Sequence, residues 1–216
     1  MVRLPPEAGG FCIDAHETTR AEYAMFLAEP NVAPQPAACA FNAVDGGYTP
    51  GAVSNSQDMN LPQGGVDWCD ARAYCEWAGK RLCGKIGGGA VPLGMSSDAS
   101  VSQWQSACSR GGTRVFPYGN QYQGETCNGF EAGHAALISA LDQTCEGGYE
   151  GIFNMSGNAW EWEDACGTAT GPDDTCQLRS GEFSNDMGFL RCDYLGFAYK
   201  RNFNMSGTVG IRCCGP

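Results

Sequence analysis

The sequence predicts an α+β fold, low in regular secondary structure and braced by disulfides. Glycine supplies 31 of the 216 residues while charged residues make up only 17%, which suits a loop-rich globular chain with many tight turns. Thirteen cysteines are scattered without a Cys-x-x-Cys pair, and His16 and His134 are the only histidines. Short zinc-ligand spacings are therefore missing, and a disulfide framework made in an oxidising compartment is the expectation. Helical periodicity surfaces in only three short stretches. The length suits one domain over residues 1–216 with a substantial core.

In chain order, residues 9–14 read as an opening strand. Thr19 and Glu22 form a capping-box pair ahead of Tyr23, Phe26 and Leu27 at helical spacing, and Pro30 ends that helix. Residues 30–65 are rich in Pro, Gly and Asn and read as loop. Asp67 caps a second helix whose Ala71, Tyr74, Cys75 and Ala78 share one face, with Gly79 as the stop. Gly87, Gly88 and Gly89 form a loop but no phosphate cradle, since no Lys-Ser/Thr follows. Ser100 is read as opening a third helix with Val101, Trp104 and Cys108. Beyond Gly111 turns and brief strands dominate.

Charge narrows the function classes. A net charge of −11 excludes an electrostatic nucleic-acid footprint, and no apolar run reaches membrane-spanning length. The odd cysteine count leaves one thiol free or bonded to another chain. Met1-Val-Arg-Leu-Pro-Pro6 is no signal peptide, so the numbering is expected to start downstream of an export segment. Extracellular, periplasmic or cell-surface placement is the expectation.

Residues 152–162 carry the densest chemical signal. Two indoles, Trp160 and Trp162, flank oxygens that an apolar core does not need, and a hard cation takes six to eight oxygens from carboxylates, amides and carbonyls. Asn154 and Glu161 offer side-chain oxygens around the bend at Gly157. An Asx-type turn of Asn154 and Asn158 beside a Trp-lined core is the competing reading. The match of residues 153–157 to residues 203–207 has unrelated flanks and is treated as coincidence.

Eight motifs in order resemble the formylglycine-generating enzyme, or sulfatase-modifying factor, family. They are Phe11-Cys-Ile-Asp14 with Glu17-Thr-Thr19 and Tyr23; Val66-Asp-Trp68; Ala73-Tyr-Cys-Glu-Trp-Ala-Gly-Lys-Arg-Leu82; Trp104 with Cys108-Ser-Arg-Gly-Gly112; Phe116-Pro-Tyr-Gly-Asn120; Gly157-Asn-Ala-Trp-Glu-Trp162; Leu178-Arg-Ser-Gly181; and Gly210-Ile-Arg212. The resemblance implies a variant of the C-type lectin fold with two or three helices, small sheets and adjacent chain ends. It implies calcium held by the side chains of Asn154 and Glu161 and the carbonyls of Gly157 and Ala159. A second calcium site would begin at Asn128 and Gly129, without a clear downstream Asp. It also implies the disulfides Cys75–Cys213 and Cys108–Cys192. Spacing alone suggests Cys127–Cys145 and Cys166–Cys176, and Cys12, Cys39, Cys69, Cys83 and Cys214 stay unpaired at this level.

The family's oxidase chemistry uses two thiolates after a Gly-Gly-Ser turn to bind Cu(I), a soft ion suited to sulfur. Counting along Ser180–Cys192 puts the first on Asn185 and the second near Met187 or Leu190, with Glu182 in the serine's place. Copper is therefore not expected, and two histidines outside any His-x-x-x-His pattern do not make a non-haem iron site. The expectation is a non-catalytic, exported binding or structural domain, braced by calcium and disulfides, with a protein or glycan ligand. Its binding surface is expected within residues 182–206, on Phe183, Asn185, Phe189, Tyr194, Tyr199 and Arg201, with half such aromatics filling core as the competing view. A divergent oxidase acting on a cysteine in a protein substrate, and a self-assembling subunit of a cell-surface structure, are the alternatives.

Overall fold

The computed structural model describes residues 1–31, 34–42, 47–53 and 55–216. Residues 32–33, 43–46 and 54, in the stretch read as loop, lie outside the described residues. The elements run β1 (Val2–Arg3), β2 (Cys12–Ile13), α1 (Arg20–Ala28), α2 (Trp68–Trp77), β3 (Arg81–Leu82), α3 (Gln103–Cys108), β4 (Trp160–Cys166), β5 (Thr175–Arg179), β6 (Ala198–Lys200), β7 (Val209–Gly210) and β8 (Cys213–Gly215). Short helices and small sheets joined by long irregular connections make the α+β class.

Both long helices start where local chemistry says they should. Thr19 and Glu22 exchange backbone and side-chain hydrogen bonds at the start of α1, satisfying two orphan donors. Asp67 and Asp70 do the same at α2. Tyr23 and Phe26 are buried, whereas Leu27 is exposed. The third helix starts later than expected: Ser102, not Ser100, is the N-cap, and its hydroxyl accepts from Gln105 N. Val101 therefore precedes the helix, and Ser100 instead closes a local turn on the Asp98 carboxylate.

Two four-stranded sheets organise the chain. The first has the order β1-β2-β8-β3, every pair antiparallel, with Ile13 opposite Cys214 and Leu82 opposite Cys213. The second has the order β6-β5-β4-β7, with β4 and β7 parallel. A register shift between Trp162 and Cys166 re-aims the second half of β4. One buried cluster joins α1 and α2 to the second sheet through Tyr23, Phe26, Tyr74, Trp162, Leu178 and Ile211. Another, with Leu4, Phe11, Ile13, Trp104, Ile152 and Met155, lies against the first.

Six disulfides staple these parts. Cys75–Cys213, Cys108–Cys192, Cys127–Cys145 and Cys166–Cys176 are joined by Cys39–Cys69 and Cys83–Cys214, two pairs that sequence reasoning left open. Cys12 is the free cysteine. Cys213 and Cys214 point to opposite faces of β8, so neighbours in sequence tie α2 on one side and Cys83, the residue after β3, on the other. Replacing Cys75 and Cys213 together by Ser should cost roughly 2–3 kcal/mol of unfolding free energy, because Cys83–Cys214 still ties the same two segments and leaves this bridge a loop of only about ten residues to close. Urea unfolding of the double variant checks this.

Candidate functional site

The turn ahead of β4 is a polar knot inside the protein. Asn154 and Asn158 are both buried and both adopt positive φ, at 58° and 62°. Between them Gly157 has φ +76°, and a Cβ there would stand 2.4 Å from the Asn128 carbonyl oxygen. No other residue fits that bend. The two amides clamp one carboxylate from the lead-in to α1: Asn154 Nδ2 donates to Glu17 Oε2 at 3.0 Å and Asn158 Nδ2 to Glu17 Oε1 at 2.8 Å. Asn158 Oδ1 accepts from Asn128 Nδ2 and from Ile138 N, both at 2.9 Å. Asn128 Oδ1 is buried without a hydrogen-bond partner.

Glu161 lies beside this knot at the start of β4, fully buried against Arg212. Arg212 Nε lies 2.9 and 3.0 Å from the two carboxylate oxygens, and Trp104 Nε1 donates to Oε2 at 2.6 Å. Arg212 also donates to the carbonyls of Asp14 and Phe153. Glu161 already has its charge neutralised and both oxygens engaged, the Asn154 amide is turned to Glu17 and Ala140, and the Gly157 carbonyl accepts from Ser180 Oγ. In this arrangement the Glu161 carboxylate and the Asn154 amide nitrogen are committed to protein partners. Among the described residues no group of three or more His, Cys, Asp or Glu side chains gathers at a metal-binding spacing. A Cβ at Gly129 would stand 2.4 Å from Leu190 Cδ1, so that position admits only glycine.

Glu17, Glu161 and Arg212 leave this interior with two acids and one base. Burial, reinforced by the Glu161 charge and opposed by Arg212 and the two amides, raises the Glu17 carboxyl from 4.5 to about 8. Sequence reasoning quoted Glu17 and Arg212 only as pieces of motifs. An acid and a base beside apolar positions were the available signal.

A second buried base sits one strand away. Arg179 donates to the carbonyls of Ser96 and Cys192 and to Gln105 Oε1, and its guanidinium lies 4.6 Å from the Trp104 ring centroid. Its neighbour Ser180 holds φ 86°, uncommon for a residue with a side chain. The segment that follows carries the expected binding residues. Asn185 turns inward, its Oδ1 accepting from Glu182 N and its carbonyl from Phe130 N. Leu190 is buried. Phe183 is half-buried beside a cavity of about 670 Å³ lined by Val53, Leu61, Ala136, Leu137 and Thr208.

Arg201 is not a surface residue, which corrects the sequence expectation. It is 2% exposed, stacks 4.2 Å from the Trp68 ring, and pairs with Asp174 at 3.2 Å. Phe189, Tyr194 and Tyr199 are half-buried in an aromatic cluster with Phe197 and Phe203 that leans on the core. Tyr199 stacks on Phe197 and Phe203, while Phe189 and Tyr194 meet at a tilt.

The sulfatase-modifying factor enzyme 1-like domain matches residues 5–215. The chain belongs to that family. It is 36% identical over 112 residues to the formylglycine-generating enzyme of Bos taurus, covering 45% of this chain and 25% of that protein. It is 30% identical over 117 residues to the inactive C-alpha-formylglycine-generating enzyme 2 of the same species, covering 49% of this chain and 33% of that one. The matched stretch thus spans a third or less of these relatives. Among solved structures, CarF aligns over 95% of this chain and 86% of its own with a TM-score of 0.61 and 18% identity. Treponema denticola variable protein 1 aligns over 95% and 84% with a TM-score of 0.60 and 14% identity. At these identities the two structures share the fold, and the C-type lectin-like class of the sulfatase-modifying factor domain agrees with the small sheets and sparse helices described above.

Two outcomes follow from the buried charges. Because the folded state holds the Glu17 proton more tightly than the unfolded chain, its stabilisation is present below about pH 4.5 and lost as pH rises through about 8. Melting temperature should fall across that window, and Glu17→Gln should flatten the slope. Arg212→Met should destabilise by roughly 3–5 kcal/mol, because Glu161 is left buried and unpaired. Adding Glu161→Gln to it should recover part of the loss in urea unfolding.

Proposed function

We propose that this domain is an exported, non-catalytic binding module built on the sulfatase-modifying factor fold. The observation that carries the reading is the state of the sulfurs. Twelve of the thirteen cysteines are held in six disulfides, and the free one, Cys12, sits on β2 in the sheet that does not carry the 180–192 segment. The positions equated with the copper thiolates hold Asn185, committed to its own turn, and either Met187, an exposed thioether, or Leu190, which is buried. Cu(I) binding needs two soft ligands within reach of one ion, and this segment offers one exposed thioether, Met187, and no free thiolate. A relative named as inactive, at 30% identity, supports the same reading. Six disulfides support export, since such bonds persist in oxidising compartments.

The binding face is the mostly apolar cavity beside Phe183, whose size suits a side chain or ring of a protein or glycan partner. Thiol counting with Cu(I) titration tests the proposal. The native protein should show one thiol at most, bind no Cu(I) at the 180–192 segment, and consume no oxygen with a cysteine-containing peptide. Two reduced cysteines, tight Cu(I) uptake and oxygen consumption would sink it.

A further inference from the structure

Away from that face, one recess is lined by two residues that each carry a buried hydrogen-bond donor from which nothing among the described residues accepts. It has a volume of about 460 Å³ and is walled by Gly9, Gly10, Phe11, Arg81, Gly87 and Gln103, with Pro216 at its rim. Gln103, the first residue of α3, is fully buried; its Oε1 accepts from Gly84 N at 3.2 Å while its Nε2 has no partner. Arg81 Nη2 donates to the Lys85 carbonyl at 3.1 Å, and its buried Nη1 has no partner. The two groups meet around Gly84: Gln103 N donates to the Gly84 carbonyl, and a Cβ on Gly84 would stand 3.4 Å from Arg81 Nη1 and 3.1 Å from Asp164 Cβ.

An orphaned buried donor costs about 1–3 kcal/mol, more when charged, so a pair sharing one recess calls for an acceptor. Both groups are donors only at these atoms, and one carries full positive charge, which selects an anionic oxygen pair. Asp164 faces Arg81 electrostatically without a hydrogen bond to it, and is itself offset by Arg72 and Arg201. Arg3 reaches the Pro216 carbonyl at the rim. Around Gly87 and Gly88 a Cβ would meet nothing within 4 Å, so the mouth is open.

We propose that this recess binds a small organic carboxylate, its oxygens bridging Arg81 Nη1 and Gln103 Nε2 and its body lying against Phe11. It uses no residue of the binding face proposed above, so either reading can fail alone. Nuclear magnetic resonance titration of the whole chain with phenylacetate, glucuronate and the neutral phenylacetamide tests it. A saturable carboxylate response below about 10 mM is expected, with shifts at the Gln103 side-chain amide and at Gly87 and Gly88, and none with phenylacetamide. Response to one acid and not the other supports the site and identifies the body it takes. Arg81→Met and Gln103→Glu should each weaken binding about tenfold or more while the melting transition stays cooperative. No saturation by either acid, equal binding of the amide, or shifts confined elsewhere would overturn the proposal and leave ordinary water as the donors' partner. If one variant fails to fold, the other and the wild-type shifts still decide.

Discussion

The buried ion pair between Glu161 and Arg212 is the contact on which the other parts converge. Arg212 reaches Glu161 on β4 and the carbonyls of Asp14 after β2 and of Phe153 in the polar turn. It thereby joins the opening strand, the middle turn and the closing segment, regions far apart in sequence. Taking two charges out of water is expensive, and an isolated pair of this kind is weak evidence for stability. Its contribution here lies in specificity. With Glu161 also taking the Trp104 N–H, any other seating of α3 or of the closing segment leaves a buried charge or an indole N–H unsatisfied.

The same constraint explains the neighbouring conformations. Once Glu161 is fixed, Arg179 stands opposite it across β4 and β5, and its guanidinium covers the face of Trp104. One indole is thus held at its edge by an acid and at its face by a base. The positive φ at Ser180 follows directly after Arg179, where the chain must leave β5 while the Ser180 hydroxyl returns to the Gly157 carbonyl. Strain there is offset by hydrogen bonds in both directions with Gly157, since Gly157 N also donates to the Ser180 carbonyl.

How far the sequence foretells all this depends on the range of the interaction. The cap at Thr19 and the cap at Asp67 are four-residue devices, and both are readable in place. The start of α3 is less so, because Ser100 and Ser102 are equally good caps in isolation and only the seating of Gln103 on Gly84 separates them. The bonds of Cys75 and Cys108 were legible through family motifs, and those of Cys127 and Cys166 through short spacing. Cys39–Cys69 and Cys83–Cys214 needed the fold, since nothing local distinguishes among five leftover sulfurs. Arg201 misled for a related reason: a cation amid aromatics reads as surface until Trp68 and Asp174 arrive from distant segments to bury it. The oxygens of residues 154–161 were visible in sequence, but the partners that use them, Glu17 and Arg212, lie far away in the chain.

The segment after β5 shows how a fold can keep a loop whose chemistry differs. In the family resemblance its first position of interest is a thiolate, whose value depends on being unencumbered. Here Asn185 closes the turn on Glu182 N with its side chain and receives Phe130 N on its carbonyl, anchoring the segment to the 128–132 turn. Leu190 fills the space above Gly129 and Gly181, where added Cβ atoms would come within 2.4 and 3.0 Å of its methyl groups. Both positions are thus occupied by structure-making residues with mutual constraints, and a cysteine at either would remove a hydrogen bond or open a void. On the non-catalytic reading proposed above, these constraints replace redox cycling, which must move sulfur between bonded and free states. The segment is well suited to hold Phe183 at a fixed place beside the apolar cavity, and fixed aromatic side chains lose little entropy when a partner arrives.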